Sequence, residues 1–237
     1  LTYSLILDWG WPGPAGLSAD SVLARAAAAA RQAIRLDSTS ADAWMAEAYS
    51  LSHEHPRTYE GVLAAIERAT VLDARNAEAW HQYGYFLFLF GRGQEALAAF
   101  QRALALEPGR AITCEHMARV LLMVERRYDE ARRWIDSATA LDPAQSYYFE
   151  LRSAIRLTQG DSAGARRDAE ESARLGTSDY RFWGAVALGM VAVRAGDTTG
   201  VPTVEERILA TVGDPHDLTS TESMLTAAVL ALAGRRD

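Results

Sequence analysis

The sequence predicts an all-α protein in which antiparallel pairs of helices stack on one another. A pattern of about 35 residues recurs along the chain, as it does in helical repeat proteins. Within each copy, small and apolar residues follow one another at steps of four and three, the spacing that places side chains on one face of an α-helix. The repeated unit is therefore helical, and it buries that face against its neighbours.

A leucine, followed in most copies by an acidic residue, marks the end of each repeat. Successive marker leucines are separated by 36, 34, 35 and 34 residues. They are Leu36, Leu72, Leu106, Leu141 and Leu175. Ahead of each leucine lies a triplet on one helix face, which in the clearest copy is Ala96, Phe100 and Ala103. We expect the small members to let two helices approach closely and the middle member to fill the gap between neighbouring pairs.

Another helix precedes each of these, and in the clearest copy it carries Trp80, Tyr83 and Gly84. We expect Gly91 to turn the chain into the second helix and Pro108 to stop that helix. These residues resemble the Trp-x-x-Leu-Gly-x-x-Tyr, Ala-x-x-x-Phe and Pro pattern of tetratricopeptide repeats. The resemblance covers residues 20–176 well. It implies a right-handed α-solenoid of about six repeats, with incomplete first and last units, that binds other proteins.

We expect residues 1–237 to form a single solenoid. Its predicted parts are a partial first repeat at 1–37, well-defined repeats at 40–176, a degenerate repeat at 177–213 and a terminal helix at 219–237. The terminal helix resembles the first half of a truncated repeat. Because the chain also begins inside an apolar stretch, we expect it to be a piece of a longer protein.

The amino-acid composition disfavours some classes of binding partner. A formal net charge of −7 disfavours nucleic acids and anionic membranes, because both attract concentrated positive charge. No apolar run approaches the roughly 20 residues needed to span a bilayer, so we expect no membrane contact by this segment. All 24 basic residues are arginine, a bias typical of GC-rich bacterial genomes. We therefore expect a bacterial, cytoplasmic protein.

Two motifs resemble ligand sites but are better explained otherwise. Gly91–Gly93 is spaced like part of a dinucleotide-binding loop, yet it follows a predicted helix and not a strand, so we interpret it as a turn. The triplet His53, Glu54, His55 lacks the four-residue helical step that puts two metal ligands on one face. It also lies beside Pro56, which favours a solvated loop.

The lone cysteine is also interpreted structurally. Cys114 stands where other copies place Trp44 and Trp80, so we expect it to be buried and unreactive. No Ser-His-Asp, Cys-His or paired-carboxylate arrangement can be argued from the spacing of residues. We therefore predict a protein that is not an enzyme and that has no catalytic residue, cofactor or metal.

The resemblance implies a concave binding surface formed by the first helix of each pair. Its candidate residues are Tyr49, His53, His81, Tyr85, Phe88, Glu115, Arg119 and Tyr147. The leading contacts are Tyr49, Tyr85 and Phe88, because large aromatic rings give much contact area for little rotamer entropy. The alternative for each residue is packing between helix pairs. Only Arg119 offers a cation for a carboxylate, so we do not expect a clamp for a chaperone's C-terminal tail.

Three functions fit these observations. The first is a protein-interaction module that holds an extended or helical segment in its groove. The second makes this array a regulatory region, because its motifs are similar to arrays C-terminal to some bacterial serine/threonine kinases, adenylate cyclases and winged-helix regulators. The third is self-association into a homo-oligomer, through the groove or through ends that lack a polar capping helix.

Overall fold

The structure, a computed structural model, describes residues 19–53 and 59–175. Within these ranges the chain consists of helices and turns without a strand, so the all-α prediction is confirmed. Contacts divide the chain into two units, Leu1–Gly109 and Arg110–Asp237. The predicted degenerate repeat and terminal helix lie outside the described residues, and the single array over 1–237 stays a prediction.

The described part of the first unit contains five helices. These are α1 (Ala19–Leu36), α2 (Ala41–His53), α3 (Tyr59–Leu72), α4 (Ala77–Leu89) and α5 (Gly93–Leu106). Each helix packs against the next one along the chain, and α2 also contacts α4. The helices α2 and α3, and likewise α4 and α5, therefore form successive hairpins with their first helices side by side.

The described part of the second unit repeats this arrangement with four helices. These are α6 (Ala111–Met123), α7 (Tyr128–Leu141), α8 (Ser146–Thr158) and α9 (Ser162–Leu175). Consecutive helices pack together, and the first helices α6 and α8 of the two hairpins also touch. The predicted pairing of helices is thus present in each unit.

The small–large–small triplets form the interior of the hairpins. Ala96, Phe100 and Ala103 of α5 are fully buried. A Cβ added to Gly84 of α4 would lie 2.7 Å from two ring atoms of Phe100 and 3.1 Å from the carbonyl oxygen of Ala96. Only glycine allows the two helices to approach this closely, so the conformation of this hairpin depends on the Gly84–Phe100 pair.

Turns between helices use glycine and aspartate at definite places. Gly91, which ends the first helix of its pair, has φ 75°, a left-handed conformation that favours glycine. The interpretation of Gly91–Gly93 as a turn is therefore confirmed. Between repeats, the Oδ1 atoms of Asp37, Asp73 and Asp142 each accept a hydrogen bond from the backbone N–H two residues on, at 2.9, 3.0 and 3.2 Å.

Candidate functional site

A cavity of about 400 Å³ opens between α2, α3 and α4 of the first unit. It is lined by Tyr49, Ser52, His53, Tyr59, Val62, Tyr85, Phe86, Leu89 and Phe90. Val62 and Phe86 are buried and form its floor, whereas Tyr59 and Leu89 are 55% and 51% exposed at its rim. We call this feature the aromatic cavity. Three predicted contacts, Tyr49, His53 and Tyr85, lie in it together.

The rings of the aromatic cavity are held by local contacts. Tyr49 and His53 stand one helical turn apart on α2, with ring centroids 4.9 Å apart. His53 Nδ1 lies 2.9 Å from the carbonyl oxygen of Tyr49 and 3.1 Å from the Ser52 hydroxyl. Burial raises the pKa of Tyr49, which keeps its hydroxyl neutral at physiological pH.

Two other predicted contacts of the first unit lie elsewhere. His81 is buried, with its ring centroid 5.6 Å from that of Phe100. Burial lowers the pKa of His81 to about 4, because the charged imidazolium would be poorly solvated there. Phe88 is half-buried and is not one of the residues that line the aromatic cavity.

Six of the nine lining residues are not among the predicted contacts: Ser52, Tyr59, Val62, Phe86, Leu89 and Phe90. Tyr59 and Val62 belong to α3, the second helix of its pair, which a stripe drawn only along first helices leaves out. The available signal was the density of aromatic residues at 83–90, where five of eight are Tyr or Phe. That density predicts a cluster but not which rings face an opening.

The predicted contacts of the second unit centre on an ion pair along α6. The guanidinium of Arg119 donates to Glu115 Oε1 through Nε at 2.8 Å and through Nη2 as well. Glu115 is only 1% exposed, and burial raises its pKa although Arg119 opposes that rise. Arg119 is thus already bound to a carboxylate of its own helix, which further disfavours a clamp for a ligand's carboxylate.

A second acid and a tyrosine pair adjoin this ion pair. Burial and the negative charge of Glu115 raise the pKa of Glu150 on α8 to about 7, and Arg119 only partly offsets them. Tyr147 is half-buried, with its ring centroid 4.5 Å from that of Tyr148 in an edge-to-face arrangement. Glu115, Arg119 and Tyr147 thus belong to one polar and aromatic region of the second unit.

The described residues offer few other reactive or metal-binding groups. Cys114 is buried and its thiol pKa is raised by burial, as expected for an inert thiol. Within 19–53 and 59–175, no three His, Cys, Asp or Glu side chains are grouped so as to hold a metal ion. Glu54 and His55 of the histidine motif lie outside these ranges.

None of the helices within residues 19–53 and 59–175 is both long and apolar enough to cross a membrane.

Comparison with known proteins supports the tetratricopeptide resemblance. Residues 87–155 match the sequence model of the tetratricopeptide repeat family. Among solved structures, PilF of Pseudomonas aeruginosa is 19% identical with a TM-score of 0.69, and 96% of each chain is covered. PilW, described as a widely conserved type IV pilus biogenesis factor, is 16% identical with a TM-score of 0.75, covering 95% of this chain and 96% of its own.

A third solved structure is YrrB, described as a TPR protein with an unusual peptide-binding site. It is 17% identical with a TM-score of 0.59, and the alignment covers 86% of this chain and 98% of YrrB. The curated proteins contain no match. At these identities the solved structures establish the fold. Together with the family match over residues 87–155, they support the predicted fold of stacked helical repeats.

Proposed function

We propose that this tetratricopeptide-repeat chain binds a peptide or an extended protein segment through inner side chains of its first helices. The observation that carries the proposal is the aromatic cavity, in which Tyr49, His53 and Tyr85 line one opening although they come from two different repeats. A scaffold that only needed to pack its helices would not require an opening of this size between them. The peptide-binding site described for YrrB supports the proposal by likeness of fold.

Each predicted contact takes a role that fits its position. Tyr49, His53, Tyr85 and Phe88 are proposed as direct contacts in the first unit. Buried His81 is proposed to support them through Phe100. In the second unit, we propose that Tyr147 and the partly exposed Arg119 contact the ligand, while buried Glu115 holds the Arg119 guanidinium in place.

Selection from a random peptide library tests the proposal. Peptides enriched on the wild-type chain should bind Tyr85→Ala at least about tenfold more weakly, the usual scale for an aromatic anchor. Tyr49→Ala should have the same effect. Tyr128→Ala removes an exposed tyrosine that does not line the aromatic cavity and should bind as the wild type does.

Thermal unfolding of each variant establishes that its fold is retained. The proposal is rejected if folded Tyr49→Ala and Tyr85→Ala bind every selected peptide with wild-type affinity. It is equally rejected if no peptide is enriched above the level found with an unrelated control protein.

Self-association is the alternative, and one observation favours it. Several large apolar side chains of the described residues are exposed, among them Leu36 at 78%, Val71 at 67% and Met123 at 60%. Sedimentation at several concentrations decides between the two functions. A molar mass equal to that of one chain at every concentration rules out self-association, and a molar mass that rises with concentration supports it.

The wider setting rests on the sequence resemblance. We propose that the array is a regulatory region of a larger bacterial protein in the cytoplasm. The complete reading frame around this segment tests the first part, because a reading frame that encodes no further domain contradicts it. Fractionation of the native protein tests the second part.

A further inference from the structure

We infer that the aromatic cavity of the first unit binds a flat aromatic side chain with a polar edge, such as the indole of a tryptophan or the phenol of a tyrosine. This inference rests on the proposed function, since it names the chemical group that the same surface takes from its partner. It goes further by excluding charged groups and purely aliphatic groups as the preferred occupants.

The size of the cavity suits a ring system. Its volume of about 400 Å³ falls in the range of roughly 300–1,000 Å³ found for small-molecule sites. The opening is bounded by α2, α3 and α4, so a side chain can enter past the exposed rim residues Tyr59 and Leu89 and reach the floor at Val62 and Phe86.

The orientation of the walls favours an aromatic occupant. The rings of Tyr49 and Phe86 are inclined at 66° with centroids 6.5 Å apart, and those of Tyr59 and Phe90 at 68° with centroids 4.5 Å apart. Neighbouring walls therefore present both ring faces and ring edges. An inserted ring can stack on one wall and meet another edge-to-face, the two arrangements that aromatic pairs prefer.

The polarity of the lining favours a neutral group with a hydrogen-bond donor. Among the described lining residues there is no Asp, Glu, Arg or Lys, so none of these residues offers a counter-charge to a charged ligand group, which would lose water on entering. The polar groups present are the tyrosine hydroxyls, the Ser52 hydroxyl and the His53 imidazole. A hydroxyl can take part in more than one hydrogen bond, so these groups can also pair with an indole N–H or a phenol O–H, a bond that an aliphatic side chain does not offer.

Aromatic faces also attract cations, so the decisive experiment compares probes. Indole, cyclohexanol and tetramethylammonium are each titrated onto the full chain with labelled methyl groups. We expect indole to shift the Val62 and Leu89 methyl signals saturably, with a Kd on the order of 1 mM for so small a ligand. Cyclohexanol should bind at least about fivefold more weakly, and tetramethylammonium should cause no saturable shift.

Substitutions in the cavity lining test whether indole binds in the aromatic cavity. Tyr85→Ala and Tyr59→Ala should each weaken indole binding about tenfold, and Tyr128→Ala should leave it unchanged. The methyl signals of Ile66, which is fully buried in the first unit and does not line the cavity, report whether each variant is folded. The comparison of probes on the wild-type chain needs no variant and so stands even if one of them fails to fold.

The results separate this inference from the proposed function. Absence of a saturable shift at Val62 and Leu89, or tetramethylammonium binding as tightly as indole, overturns the inference. Unchanged indole affinity in both folded variants overturns it as well. If library peptides bind through Tyr85 but contain no aromatic residue, the inference fails while the proposed function holds. If indole binds as expected but no peptide is selected, the proposed function fails on its own.

Discussion

At the scale of single residues, some positions of the repeat pattern recur because they stabilise turns, and others recur because they pack in the core. The marker leucines are exposed in two copies, Leu36 at 78% and Leu141 at 48%, so core burial does not explain their recurrence there. The aspartate after the leucine has a clear role in capping the turn between repeats. In addition, the indole Nε1 of Trp44 donates to the Ser38 carbonyl at 3.0 Å, and Trp80 makes the same bond to Ala74 at 3.1 Å.

The half-buried carboxyl of Glu150 makes the stability of the second unit depend on pH. Its folded-state pKa of about 7 lies above the ordinary value, so the folded state holds this proton more tightly than the unfolded state. Stability from this group is therefore fully present below about pH 4 and is lost as pH rises through 7.

Glu150→Gln should remove that loss. We expect the variant to be more stable than the wild type by on the order of 2 kcal/mol at pH 8 and to lose this advantage as pH falls towards 4. Urea denaturation across this pH range measures the difference. A constant difference between the two proteins at every pH would show that Glu150 does not titrate as stated.

The close contact at Gly84 gives a second residue-scale prediction. In Gly84→Ala the new methyl group meets the ring of Phe100, which is fully buried and cannot move aside without disturbing the hairpin. Alanine is favoured over glycine in a helix by about 1 kcal/mol, but overpacking typically costs about 1–3 kcal/mol. Because the contacts at 2.7 Å place this site at the upper end of that cost, we expect a net loss of about 2 kcal/mol in the free energy of unfolding.

The matched control is Gly109→Ala. A Cβ at Gly109 would meet no atom within 4 Å, so the stability of this variant should stay close to that of the wild type. If urea denaturation shows Gly84→Ala to be as stable as Gly109→Ala, the close approach of α4 and α5 is not as described.

At the scale of helices, much of the arrangement was predictable because the spacing that buries one face recurs so regularly. The helix expected to stop at Pro108 ends at Leu106, and the turn expected at Gly91 occurs there with φ 75°. Polar contacts between helices were not predictable, since they depend on which side chains meet across the pairs. The clearest case is the set of ion pairs between α8 and α9.

These ion pairs converge on Asp168 of α9, which is 3% exposed. Arg152 of α8 donates to both of its carboxylate oxygens, at 3.0 and 2.7 Å, and also to Thr139 Oγ1 of α7 at 2.8 Å. Arg156 Nη1 lies 3.0 Å from the same carboxylate. The network therefore joins three consecutive helices.

Asp168→Ala should destabilise the second unit strongly. It leaves two partly buried guanidinium groups without their shared carboxylate, and breaking a buried ion pair typically costs about 3–5 kcal/mol. Glu171→Ala is the control on the same helix, because Glu171 pairs with the exposed Arg174 one turn away and that surface ion pair should contribute little. Equal midpoints of thermal unfolding for the two variants would contradict a structural role for Asp168.

At the scale of the whole molecule, the fold of stacked helical hairpins was predictable from the sequence, whereas the candidate site was predictable only in part. Periodicity identifies first helices and so points to Tyr49 and Tyr85. It does not reveal that His81 is buried or that Arg119 is already paired, because both depend on neighbours across the hairpins. The aromatic cavity likewise needs α3, which contributes Tyr59 and Val62.

The most direct test of binding through the first helices is amide hydrogen exchange, measured with and without a library-selected peptide. We predict that the peptide slows exchange mainly in Ala41–His53 and Ala77–Leu89, the first helices α2 and α4 that contribute Tyr49, His53 and Tyr85 to the aromatic cavity. Protection confined to the second helices α5, α7 and α9, with α2 and α4 unchanged, would contradict the account.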